Sequence, residues 1–111
     1  MRNLSSPVFV DGDFAAAVSA AGTTQGTATT LPANHNLVTV VTDAANGVVL
    51  KALAKGEVFS VANGDAAQSL KLYPPSGAAF NGMTANDPLT LPVGFCAMGR
   101  FVSKTVILVT Y

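Results

Sequence analysis

The sequence predicts an all-β fold: a single-domain antiparallel β-sandwich or barrel of about seven to nine short strands, with an extended N-terminal arm. Three observations carry that expectation. Short β-branched or apolar runs recur along the 111 residues, with turn signals at intervals of roughly eight to twelve residues. The turns between them are built from Gly, Asn, Asp and Pro, whose backbone preferences suit reversals. The connections also leave no room for crossover helices, and this predicts a mostly antiparallel sheet.

Residues 1–13, MRNLSSPVFVDGD, place a short apolar run, Pro7 to Val10, between polar ends. Pro7 disfavours a helix, and Asp11-Gly12-Asp13 is a turn signal. This segment reads as an arm, and residues 14–111 as the β domain. Phe14 to Ala21, FAAAVSAA, has the highest helix propensity in the chain but runs straight into GTTQGTATT. Glycine and β-branched threonine oppose helix there, so a strand is expected.

From Leu37 the pattern sharpens. Strands are expected at Leu37 to Thr42, Val48 to Leu53, Glu57 to Ala62 and Ser69 to Tyr73. Further strands follow at Ala79-Phe80, Leu89 to Leu91, Phe95 to Val102 and Thr105 to Tyr111. Asn63-Gly64-Asp65, the Pro74 to Gly77 run, Asn81-Gly82 and the Pro92 to Gly94 run separate several of them. Gly and Asn tolerate positive φ, whereas Pro fixes φ and withdraws a donor. The final strand is mostly apolar, so it is expected inside a sheet, not at an exposed edge.

Charge is scarce. Only 11% of residues are charged, against about 25% in an ordinary soluble domain. Six cations balance six anions, which leaves little colloidal repulsion and favours association. Such a surface is expected to be covered by Thr, Ser, Asn and Ala and partly buried against other subunits. No basic cluster points to nucleic acid, and no apolar run is long enough for a membrane helix. The start has one cation and no apolar block behind it, so no secretory signal is expected and synthesis is assigned to the cytoplasm.

Catalytic, metal and cofactor residues are not identified. His35 is the one histidine and Cys96 the one cysteine. A zinc site would need both together with carboxylates, so His35 is expected in a loop and Cys96 as a buried, inert thiol. Asp11 and Asp13 could supply two oxygens to calcium, but the following Phe14 to Ala17 run adds no ligands, and the pair reads as a turn. Glu57 and Asp65 are expected at opposite ends of one strand, solvated. No serine sits in a nucleophile elbow, and the glycines form no phosphate-cradling loop. Most phenylalanines are expected in the core. Phe9 is the exception, because its apolar run has no local core to enter.

The order of features over residues 22–111 resembles a β domain of tailed-bacteriophage structural proteins, found in capsid-decorating proteins and fibres. "GTTQGTATTLPA" leads into a β-branched strand, then come "GVVL", "GEVFSVANGDAAQSLKLYPPSG", "FNG" and an apolar strand before "GRFVS". These are structural turns and carry no catalytic signature. The resemblance departs from the larger fibre proteins in one respect: 21 residues precede it, too few for a shaft and an attachment segment. It therefore implies a small capsid decoration (cement) protein. That role carries further implications: a homotrimer, the major capsid protein as partner, and a place on the capsid surface of the virion.

Three functions follow for comparison. The first is a decoration protein that binds the outer capsid surface and stabilises contacts between coat subunits. Its interface is expected in the arm, at Arg2, Leu4, Val8, Phe9 and Val10, with Thr and Asn loops as a polar rim. The second is a fibre or tail module that recognises a host surface through the polar Asn81 to Asn86 loop. The third, a small hydrolase, lacks a recognisable acid–base pair, and the chain is read as non-enzymatic.

Overall fold

The computed structural model describes residues 13–111. Ten strands and no helix make up those residues: β1 (Phe14–Ser19), β2 (Thr29–Thr30), β3 (His35–Val40), β4 (Gly47–Val49), β5 (Val58–Asn63), β6 (Leu70–Tyr73), β7 (Ala79–Phe80), β8 (Leu89–Leu91), β9 (Cys96–Phe101) and β10 (Val106–Thr110). They form a six-stranded sheet in the order β1-β3-β5-β9-β10-β7 and a four-stranded sheet in the order β2-β4-β6-β8. The FAAAVS run is a strand, as its flanking threonines and glycines predict. The two-residue β2 within GTATT was not anticipated, because so short a run carries no periodicity.

The all-β class holds, but the expected antiparallel sheet does not. Five of the eight strand pairings are parallel: β1–β3, β3–β5, β2–β4, β4–β6 and β7–β10. The connection rule fails for a physical reason. From β1 to β6 the chain alternates between sheets, so each parallel crossover runs through a strand of the opposite sheet instead of a helix. The first half therefore winds like a short solenoid, not like a closed barrel. The second half reverses direction. β8 pairs antiparallel with β6, β9 with β5, and β10 with β9.

The two sheets share one hydrophobic core. In β5 the burial alternates residue by residue, with Phe59, Val61 and Asn63 inward, the period-two pattern of a half-buried strand. Phe59 and Phe101 meet edge to face at 5.8 Å, and Leu31, Val48, Leu70, Leu72 and Leu91 fill the core from the small sheet. Gly99 makes this packing possible. It lies opposite Phe59 across the β5–β9 pair. A Cβ on it would stand 2.7 Å from Phe59 Cζ and closer still to the Leu108 carbonyl.

Asparagine side chains hold the ends together. Asn63 Nδ2 donates to the carbonyls of Gln68 and Leu91, at 2.9 and 3.1 Å, and its Oδ1 accepts from the Asp65 amide. One side chain thus joins the end of β5 to the following loop and to β8. Asn81, at φ +47°, works as a substitute for strand. Its amide donates to the Val109 carbonyl and accepts from the Val109 N–H, both at 2.9 Å. β7 pairs only with Val106 and Ile107, so Asn81 extends the cover along β10. The terminal strand lies between β9 and β7, inside the sheet as expected.

Candidate interaction surface

The outer face of the six-stranded sheet is assembled by alternation along its strands. β9 turns Ala97 and Phe101 inward and Cys96, Met98 and Arg100 outward; β10 turns Ile107 and Val109 inward and Val106, Leu108 and Thr110 outward. Register aligns these outward residues with those of neighbouring strands. His35, Ser60, Met98 and Thr110 form one row, Leu37, Ala62 and Cys96 a second, and Val58, Arg100 and Leu108 a third. Phe14 extends the first row, opposite His35 on β1.

The face is apolar and nearly without charge. Met98 is 59% exposed, Leu108 53%, Val106 46% and Phe14 75%. Arg100 is its one formal charge. A shallow depression lined by Val58, Met98, Arg100 and Leu108 lies beside the protruding Met98 side chain. Scattered exposed apolar residues are ordinary, but aligned on one sheet face they mark a surface suited to burial.

Its polar groups hold the sheet together. The Phe14 ring stacks on His35 with centroids 5.2 Å apart, and His35 Nδ1 lies 2.8 Å from Ser60 Oγ. A Ser–His hydrogen bond is one element of nucleophile activation, which also requires an orienting acid and convergent oxyanion donors. Here it joins residues in direct register on β3 and β5. No short motif announces it, because the two residues lie 25 positions apart.

Several expectations require correction. Cys96 is exposed, not buried. The run around it is apolar, which suits core, but strand alternation turns Cys96 outward. His35 belongs to β3 rather than to a loop. Phe59, Phe80 and Phe101 are core, but Phe14 and Phe95 are exposed. Asp13 forms an ion pair with Lys51 at 3.7 Å, while Asp11 lies outside the described residues. So do Arg2, Leu4, Val8, Phe9 and Val10, and Pro7 with them.

Glu57 and Asp65 flank β5 at its two ends, as expected, and both are partly exposed carboxylates that also cap backbone amides. Glu57 Oε1 accepts from the Ala54 amide at 2.8 Å. The carboxylate of Asp65 accepts from three backbone amides, those of Ala67, Val41 and Gln68. These hydrogen bonds, with Ala67 foremost, favour the ionised form and hold its pKa below the usual 3.8. Among the described residues, no group of three His, Cys, Asp or Glu side chains is placed to hold a metal ion.

The Asn81 to Asp87 loop is a second exposed feature, with Asn81 and Asn86 both at positive φ. Asn86 Oδ1 accepts from the Gly77 amide at 2.7 Å and from Gln25 Nε2 at 3.1 Å, so the base of the loop is fastened to the body.

No protein-family model, curated protein or solved structure matches the chain.

Proposed function

We propose that this chain is a non-catalytic structural protein of a tailed-bacteriophage particle. In this reading it is a trimeric capsid decoration protein, bound to the outer surface of the shell and stabilising contacts between major capsid protein subunits. The sandwich-like body supplies a rigid platform for such contacts. The carrying observation is the outer face of the large sheet, where Met98, Leu108, Val106 and Leu37 stand exposed around a single formal charge. The resemblance over residues 22–111 and the overall scarcity of charge support the same reading.

Mechanism in this reading is buried area. A specific interface of ordinary size removes about 1,600 Å² from water, and repetition over a symmetric shell turns weak contacts into tight attachment through avidity. Co-sedimentation with undecorated shells of the parent particle tests it. The expected result is saturable binding at many copies per shell; a chain that stays in the supernatant at every concentration overturns the reading. Deleting residues 1–10 tests the arm, with weaker shell binding and an unchanged β circular-dichroism spectrum as the expected outcome.

A host-recognition module of a fibre or tail is the second reading, favoured by the exposed Asn81 to Asp87 loop. It predicts binding to host cells that is lost on replacing that loop, with no binding to shells.

A further inference from the structure

We infer that the outer face of the six-stranded sheet docks on the same face of a second copy of this chain, in an isologous contact centred between Met98 and the recess beside it. The inference rests on the reading above that this face is a burial surface, and it names the partner.

Three observations select a second copy. The first is electrostatic. Of the outward residues on β3, β5, β9 and β10, Arg100 alone carries a formal charge, and the whole chain is neutral at pH 7. A strongly charged partner finds little complement here, whereas an identical, nearly uncharged face fits it. Arg100 lies two residues along β9 from Met98. Arg100 also borders the recess beside Met98, so its aliphatic stem packs in the contact while the guanidinium reaches out to water.

The second is shape. The face carries both a protrusion and a recess. Met98 stands 59% exposed, and the depression bordered by Val58, Arg100 and Leu108 lies next to it. A two-fold axis passing between Met98 and the recess places each Met98 over the recess of the other copy. That is the self-complementarity an isologous contact requires. The unbranched thioether of methionine adapts readily to a shallow recess.

The third is area. Five inter-strand spacings of about 4.8 Å and six-residue strands rising about 3.3 Å per residue give a face of roughly 24 by 20 Å. Two stacked copies then remove about 1,000 Å² in total, the lower bound for a specific interface. The contact is therefore weak between free molecules and strengthens when copies are held together. Face-to-face stacking about 10 Å apart is also the ordinary way two sheets pack.

Sedimentation equilibrium of the chain from micromolar to near-millimolar concentration tests the inference. The expected species are even-numbered: two copies, or six where three-fold contacts also form. Met98→Lys and Leu108→Lys, each at an exposed site, should weaken association by at least about tenfold. Val93→Lys, at an exposed apolar site in the β8–β9 turn, should leave association unchanged. Circular dichroism confirms that each variant is folded. A wild-type chain that stays monomeric, or forms only trimers, overturns the inference, as does equal loss in Val93→Lys. A monomer that still binds shells overturns the self-contact alone; a dimer that ignores shells overturns the decoration reading alone.

Discussion

The two sheets share a core and yet present outer faces of opposite character. On the four-stranded sheet the outward positions are mostly polar and partly covered. Tyr73 folds over Gly47, with its hydroxyl donating to the Thr23 carbonyl at 3.3 Å, and Lys71 Nζ donates to Thr90 Oγ1 at 2.8 Å across β6 and β8. The Gly22 to Ala28 loop is tied down nearby, with Gln25 Nε2 donating to the Pro74 carbonyl at 2.7 Å. On the six-stranded sheet, Met98, Leu108, Val106 and Leu37 stand in water. Among the described residues, side-chain hydrogen bonds tie down the outer side of the small sheet, while the large sheet leaves its apolar side chains exposed. In the reading proposed above, that asymmetry marks the face for contact with other chains.

The comparison fails first if the two sheets do not form one body. Phe101 is fully buried and packs on Phe59 between the sheets. Phe101→Ala should cost about 3–5 kcal/mol and lower a single cooperative melting transition. Two separate transitions would show that the sheets unfold independently.

A smaller effect is expected from the covered face. A Cβ at Gly47 would lie 2.8 Å from both Tyr73 Cε2 and the Lys71 carbonyl. Gly47→Ala should therefore displace the tyrosine and cost about 1–3 kcal/mol in a denaturant titration. The bare face provides the contrast. Met98→Ser removes a side chain with little packing to lose and should change the stability of the free chain by less than about 0.5 kcal/mol.

The smallest effect is the pH dependence of the Asp65 cap. Its folded-state pKa lies below 3.8 because backbone amides bind the ionised form. The stabilisation is thus fully present above the unfolded value and is lost as pH falls through the folded one. Asp65→Asn should flatten the acid limb of the stability–pH curve and leave the outer face of the large sheet unaffected.

Much of this was legible in the sequence. Ala79-Phe80 and Leu89 to Leu91 match their strands at both ends, and β3, β5, β9 and β10 match to within a few residues, because turn chemistry brackets them. Sheet order was not legible. Antiparallel pairing follows from short loops only when consecutive strands share a sheet, and here β1 to β6 alternate. The candidate surface was hidden for a related reason. In CAMGRF and VILVT both faces of the strand are mostly apolar, so residues that turn outward look like core, and the expectation of a buried Cys96 follows from that. The roles of Asn63 and Asn81 depend on contacts 28 residues away in sequence, beyond the reach of any local pattern.

Methionine oxidation followed by mass spectrometry tests the account most directly, because the chain carries its own internal control. In dilute solution Met98, at 59% exposure on the sheet face, should oxidise faster than Met83, at 38% in the Asn81 to Asp87 loop. At assembly concentrations, or with shells present, Met98 should become protected while Met83 keeps its rate. A Met98 that oxidises at its dilute-solution rate under every one of these conditions would contradict the account.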